Sequence, residues 1–498
     1  MSSTNPKYQQ VPTNPIPNST PAKDSFELDS LNEGDGDDED TLAMQSSNNN
    51  TDNPFDDDFT SMDIELDEDQ GQEQVPFDLN QLLITDKSSL KMAFMNMANS
   101  ILGAGAIGTP FAISNTGLIG GIIAILLLTI LVDFTIRLII INLKLSGRSS
   151  YQDTVYHCFG LTGKIVIILT QALFAFGGSI GFCIIIGDTF PHILRSFFPG
   201  YINHSFLVWL FSRNVIIVLV TLFISFPLSL SRDISNLAKA SALALVSMTV
   251  IILIILIHGP SLSSDLKGTI TTSQWIVTPR IFQGISVISF AFVCHHNTSF
   301  IFHSLKNPTL NRFAKITHAS CFVSMIALSL IGFGGFGIFQ SKIKGNILNN
   351  FPSDDWMVNI ARFCFGFNML TTFPLEIFVL RDVLKDLYYV KSITPVEISG
   401  KAHFILTTVL VLITMSISLT TCNLGALFEL IGATTASIMA YILPPMCNLA
   451  MTGTSKTKWQ KVPYYGCILF GFSVMIISSS QTISKAWSGS GEQDHCVI

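Results

Sequence analysis

The sequence is short of charge. Only 13% of its 498 residues are Asp, Glu, Lys or Arg, while 48% are hydrophobic. A soluble globular domain carries about twice that charge. The charge that exists is also displaced: residues 1–85 hold a large share of the acids, and long apolar runs dominate beyond Lys91. The net charge of -7 therefore describes a tail, and no nucleic-acid partner is expected. Paired cysteines are missing too. The nine cysteines are scattered singly without a CxxC, which points to neither a zinc site nor a disulfide framework. Cys496 stands one position short of a prenylation motif. No HExxH, GxSxG or paired-Asp constellation lies on the apolar runs, so an intramembrane enzyme is not expected, nor any cofactor beyond a coupling ion.

Residues 1–86 are rich in Ser, Asn, Asp, Glu and Pro, as in Asp35–Asp40, Ser46–Asn50 and Asp56–Asp58. Such a stretch buries too little apolar area to offset its ordering entropy, which predicts a disordered acidic tail. It has no basic start followed by an apolar run, so no cleaved signal peptide is expected before the first span. Asp78-Leu-Asn-Gln-Leu82-Leu83 fits an acidic di-leucine sorting pattern or a simple lead-in to the first span. Sorting or regulatory proteins are the partners such a tail would take.

A membrane-crossing helix needs about 20 apolar residues. Eleven candidates lie near 90–113, 117–141, 163–187, 212–231, 240–258, 281–304, 316–339, 357–380, 402–420, 424–448 and 464–482. The expected class is an all-α integral membrane protein with eleven transmembrane helices over residues 87–483, surrounded by lipid. With the N-terminus in the cytosol, fifteen Lys and Arg fall on the cytosolic side and eight on the other. The positive-inside rule favours that orientation. It places the short tail 484–498 in a lumen or outside, together with the sequon Asn203-His204-Ser205, where glycosylation is allowed. The sequons at Asn18 and Asn49 would be cytosolic and silent.

Two spans are poor continuous helices. In the first, Asn99-Ser100-Ile-Leu-Gly103-Ala104-Gly105-Ala106-Ile107-Gly108-Thr109-Pro110 packs three glycines and a proline into eight residues. Each glycine costs about 1 kcal/mol against alanine in a helix interior, and proline removes a donor. Unwound backbone at membrane depth survives only where it is buried or lines a polar cavity. Free amides at a half-helix start suit a carboxylate. In the sixth, His295-His296-Asn297-Thr298-Ser299 puts polar residues in a row at mid-membrane, where lipid would not accept them. Glycine motifs also serve close helix packing, and that reading stays open for Gly103–Gly108. Matching interruptions five spans apart are the mark of inverted-repeat transporters with the site between them.

The stretch Asn99-Ser-Ile-Leu-Gly103-Ala-Gly105 resembles the first-span signature of the amino acid/auxin permease family, which includes the sodium-coupled neutral amino acid transporters. Phe290-Ala-Phe-Val-Cys-His295, Pro227-Leu-Ser-Leu-Ser-Arg232 and Gly425-Ala-Leu-Phe-Glu429-Leu-Ile-Gly432-Ala-Thr434 are similar to the same family. The resemblance spans about 87 to 483. It implies a five-plus-five inverted repeat of the leucine-transporter type with helices 1 and 6 broken. It implies an amino acid substrate, with carboxylate on the first break (Asn99, Ser100, Gly103, Ala104, Gly105) and ammonium on carbonyls of the sixth (Phe290, Ala291, Phe292, Cys294, His295). It further implies an ion site between spans 1 and 8, at Asn99 with Thr371 and Thr372. The two hydroxyls suit a small cation, or they satisfy backbone groups around Pro374. The coupling ion is H+ or Na+, and the membrane an endomembrane, the vacuolar one first.

Several ionisable residues lie on the spans. Asp133 and Arg137 sit four apart, so they can pair. Glu429 has no cation four residues away, a setting that suits reversible protonation, and is the first candidate for proton coupling. His295 and His296 point about 100° apart on a helix, which disfavours a shared metal; a satisfied polar contact is the expected role. Glu376 and Arg381 read as snorkelling to the cytosolic interface. Gly177-Gly178-Ser179-Ile-Gly181 reads as room for packing or for the substrate side chain.

Together these features predict a secondary active transporter working by alternating access. The rival reading is an amino acid sensor that signals through the cytosolic tail.

Overall fold

The structure, a computed structural model, describes residues 88–231, 238–389 and 399–487. The expectations for the acidic tail, the di-leucine pattern, Arg232 and the chain beyond residue 487 lie outside these residues. Among them the fold is all-helical apart from one isolated bridge between Ser88 and Leu305.

Nine of the described helices are long and apolar enough to cross a membrane. Two further segments match the remaining expected spans. Arg213–Ser229 is apolar but shorter, and the first segment is divided into Leu90–Ile101, Ala104–Gly108 and Thr109–Thr116. The helices overrun the expected boundaries because polar ends extend them past the apolar window. Tyr151–Phe197, for example, begins twelve residues before 163, and its first part is set off by a non-helical Gly160. Start signals are conventional: the side chains of Ser89, Ser150, Thr309, Asp355, Ser399 and Asn423 each accept from an amide of the turn that follows. Asn423 closes the expected break at Thr421–Asn423 by accepting from the Ala426 amide at 2.9 Å.

The second helix shows how the chain meets its surroundings. Ile119, Ile122, Ile123, Leu126, Leu127 and Ile130 are all exposed, and their spacing places them on one stripe. An uncovered aliphatic stripe of that length belongs against hydrocarbon. The helix starts at Gly117, whose φ of 81° is open to glycine and strained for other residues. A side chain there would also meet the Ile276 carbonyl at 2.8 Å.

Depth in the bundle is uneven. In the sixth segment 89% of the apolar window is buried, against 28% in the last helix. The sixth segment is therefore the centre of the fold, and the last helix is a flank. Among the described cysteines seven are free thiols, whereas Cys422 is disulfide-bonded, a pairing that the scattered spacing did not announce.

Candidate functional site: two facing helix breaks

In the first segment the helix ends at Ile101. Leu102 and Gly103 leave helical geometry, a five-residue 3-10 turn runs over Ala104–Gly108, and a new helix starts at Thr109. Pro110 falls in the first turn of that new helix, where its missing N–H costs nothing. The first amides of the 3-10 turn have no partner within it, by the geometry of any helix start.

In the sixth segment the helix Ile281–Phe292 stops at Val293, which is extended at ψ 112°. A 3-10 turn over His295–Asn297 follows, then a second helix over Thr298–Ser304. The Cys294 carbonyl accepts from the Asn297 amide at 3.0 Å and from the Thr298 hydroxyl at 3.3 Å. His295 is fully buried and its Nε2 lies 2.8 Å from the Thr135 hydroxyl of the second helix.

The two breaks touch. A Cβ added to Gly105 would sit 2.5 Å from the Ala291 Cα. Asn297 Nδ2 donates to the Ser100 Oγ across the same junction at 3.1 Å. Ala104 and Gly105 are buried, while Asn99, Ser100 and Gly103 are half-buried. Of the residues expected at the site, Gly105 and Ala291 meet and Ser100 lies beside them, whereas His295 turns to Thr135, and Phe290 and Phe292, two positions apart on one helix, face nearly opposite ways. Phe290 stacks on Phe428 at 4.4 Å between centroids and also meets Phe174 at 5.5 Å. Phe292 is fully buried.

Phe174 and Phe428 were not legible as site residues. With 38 phenylalanines in the chain, residue type marks none of them. The position of Phe428 follows from a glycine of the third helix. Gly181 leaves room for the Phe428 ring, with an added Cβ 3.0 Å from it, and Gly177 does the same for Ile431. The small-residue run on the third helix therefore serves packing against the tenth, at the wall of the site.

One face of the junction is closed. The loop after the seventh helix brings Gly345 against Gly425, so that an added Cβ would be 2.7 Å from the Gly425 nitrogen. A small cleft is lined by Gln152, Gln171, His296, Phe378 and Asp382.

The proposed coupling residues are spread out. The Thr371 and Thr372 hydroxyls donate to the Asn368 carbonyl at 2.9 and 2.8 Å. Their oxygen lone pairs remain available to a cation, so both readings of this pair stand. Among the described residues no three His, Cys, Asp or Glu side chains group as a metal site. Glu429 is buried and accepts from the Thr482 hydroxyl of the last helix at 2.7 Å. Lys485, Arg280 and Gln283 lie around it, so its partners come from other helices rather than from its own.

Asp133 and Arg137 pair at 2.8 Å as the spacing implies, and His318 Nδ1 of the seventh helix approaches Asp133 Oδ1 to 2.8 Å. The snorkelling expectation for Glu376 and Arg381 is corrected. Arg381 is buried and donates to the Ser229 carbonyl and the Thr407 hydroxyl, both at 3.0 Å. Glu376 faces inward toward His296. Helix 356–388 runs on past the expected end of the span, so these residues meet neighbouring helices before they reach water.

A helical bundle with apolar outer faces, whose two central helices lose their regular backbone at a shared point, has the build of a solute transporter. The chain belongs to the transmembrane amino acid transporter protein family, whose model matches residues 86–484. It is 54% identical to vacuolar amino acid transporter 2 of Saccharomyces cerevisiae, over 84% of this chain and 90% of that one. It is 32% identical to a Mus musculus protein provisionally named sodium-coupled neutral amino acid transporter 11, over 80% and 86% of the two chains. Among solved structures, the Eremococcus coleocola manganese transporter matches with a TM-score of 0.53 at 12% identity, covering 85% of this chain and 90% of that one. That likeness is one of fold alone, of the leucine-transporter-like kind.

Proposed function

We propose that this protein moves amino acids across the vacuolar membrane by alternating access, driven by a proton or sodium gradient. The observation that carries the reading is the contact of the two breaks at Gly105 and Ala291, with the Ser100–Asn297 hydrogen bond beside it. Peptide groups on both sides of that junction have lost regular helical partners and can receive a small zwitterion. The substrate carboxylate goes to the amides of Gly103 to Gly105 and the ammonium to carbonyls at Phe290 and Ala291. Phe174, Phe290 and Phe428 wall the side-chain end. The name of the yeast relative supports the vacuolar membrane and the amino acid substrate.

In this reading all eleven segments cross the bilayer. Segments 1–5 and 6–10 form two inverted halves, and the last helix flanks them. The N-terminus with its acidic tail is cytosolic and the C-terminus luminal, in keeping with the distribution of Lys and Arg. The cation biases one access state over the other through its differential affinity.

Purified full-length chain in proteoliposomes tests the proposal. Uptake of a panel of amino acids is measured under separate proton and sodium gradients. Accumulation of at least one amino acid under one of them is expected. No uptake and no exchange of any amino acid would sink the reading.

A further inference from the structure

We propose that His296 and Glu376 form the proton-binding site of the transporter, at the edge of the sixth-segment break. This rests on the transport reading above and commits its driving ion to the proton. His296 belongs to the 3-10 turn of the break, and Glu376 to helix 356–388. Their Nε2 and Oε1 atoms are 3.7 Å apart, with the side chains only 4% and 13% exposed. Both ring nitrogens of His296 and the Oε2 of Glu376 are buried without a hydrogen-bond partner. Buried polar atoms are nearly always paired, so three orphans on two facing groups mark a site that is incomplete as it stands. A proton completes it. Placed on the imidazole, it turns the gap into a charge-assisted hydrogen bond after an approach of under about 1 Å.

The surroundings leave the pair to itself. From the third helix, the Phe174 ring packs on His296 at 4.9 Å between centroids, and a Cβ added to Gly178 would lie 3.9 Å from the Glu376 carboxyl carbon. Gln152 and Gln171 bond to each other at 2.7 Å. Of the charges nearby, Asp153 pairs with Lys164 at 3.0 Å and Asp382 with Lys385 at 2.7 Å, while Asp386 lies in the same cluster without an ion pair of its own among the described residues. His295 is held by Thr135. The tenth helix contributes Ile431 over Gly177, which carries no charge. Among the described residues His296 is the one ionisable group within ion-pair distance of Glu376.

The position suits coupling. His296 lines the small cleft together with Gln152, Gln171 and Asp382. Its neighbour Asn297 makes the hydrogen bond to Ser100 that joins the two breaks. A proton gained or lost at His296 therefore changes the pull on the same turn that the amino acid occupies, and the two ligands are linked through it. Glu429, by contrast, has its hydrogen bond from the last helix.

The test uses full-length protein in proteoliposomes with an equimolar mixture of tritiated standard amino acids. Two quantities are read: exchange at equal pH, and accumulation under a one-unit pH gradient. One-to-one coupling across that gradient supports about a tenfold accumulation. The unsubstituted protein is expected to reach it. His296→Gln and Glu376→Gln are each expected to keep exchange and to stop at the equilibrium ratio. Accumulation kept by either variant overturns the proposal, and so does loss of exchange in a variant that remains monodisperse. The unsubstituted protein gives a second measurement that no misfolded variant can spoil. Adding the mixture on one side must move protons, followed with entrapped pyranine. Exchange without proton movement overturns the pair but leaves transport standing, whereas absence of exchange strikes the transport reading itself.

Discussion

Gly105 and Ala291 lie in direct backbone contact, 2.5 Å between the Ala291 Cα and the place a Gly105 side chain would begin. No real Cβ tolerates that separation, so this one glycine decides whether the two broken helices can meet. The glycine run of the first segment, read alone, allowed either packing or a binding site. The contact shows that it does pack, and that what it packs against is the second break.

Gly105→Ala should cost about 1–3 kcal/mol, the usual range for an overpacked core, and should reduce uptake. Gly105→Leu should abolish uptake. Ala291→Gly introduced with Gly105→Ala should restore neither stability nor uptake, because the Ala291 Cα and nitrogen that the new methyl meets remain in place. Uptake into vesicles and thermal unfolding in detergent are the measurements. Normal transport by Gly105→Leu would remove this junction from the substrate path.

Ser100→Ala removes the hydroxyl that accepts from Asn297. A net loss of about 0.5–1.5 kcal/mol is expected for one such bond, which weakens apparent substrate affinity by up to about tenfold. Half-saturation concentrations for the variant and the unsubstituted protein check it. Equal values would mean that the bond does not couple the breaks.

On the closed face, Arg213 bridges Asp188 at 3.2 Å and also donates to the carbonyls of Ser418 and Thr421. Both side chains are buried. Removing one partner leaves a charge uncompensated, so Asp188→Asn should destabilise the fold by about 3–5 kcal/mol. The double variant Asp188→Asn with Arg213→Met should lose less than Arg213→Met and Asp188→Asn taken together. Thermal unfolding of the three proteins tests the coupling.

Asn203 is exposed in the connection between the third and fourth segments. With the N-terminus cytosolic it faces the lumen, so protein made in a eukaryotic secretory membrane should shift in mobility on glycosidase treatment. Asn203→Gln should remove the shift. A shift that survives the substitution, or protease protection of the N-terminal tail in sealed vesicles, would reverse the orientation.

The two helix breaks were legible in the sequence, because their cause is local. Three glycines and a proline near Gly105, and the polar run His295–Ser299, interrupt helices wherever they stand. The Asp133–Arg137 pair was legible for the same reason, since i,i+4 spacing sets it on one face. Glu376 and Arg381 were misread. Both look like interface residues at the end of an apolar run, and nothing in the run tells how far the helix continues or which helices flank it. Phe174 and Phe428 gave no signal at all: an aromatic on a membrane helix looks the same whether it faces lipid, core or substrate.

By itself the sequence determined that the chain is a bundle of apolar helices, where two of them cannot stay regular, and which family carries that pattern. These follow from hydropathy and backbone chemistry within a few turns of helix. Only the tertiary structure decided that the two breaks meet at Gly105 and Ala291, that Phe428 stacks on Phe290, and that His296 confronts Glu376. Those pairings join residues far apart in the chain. They depend on how helices rotate and pack against each other, which the period of a single helix does not encode.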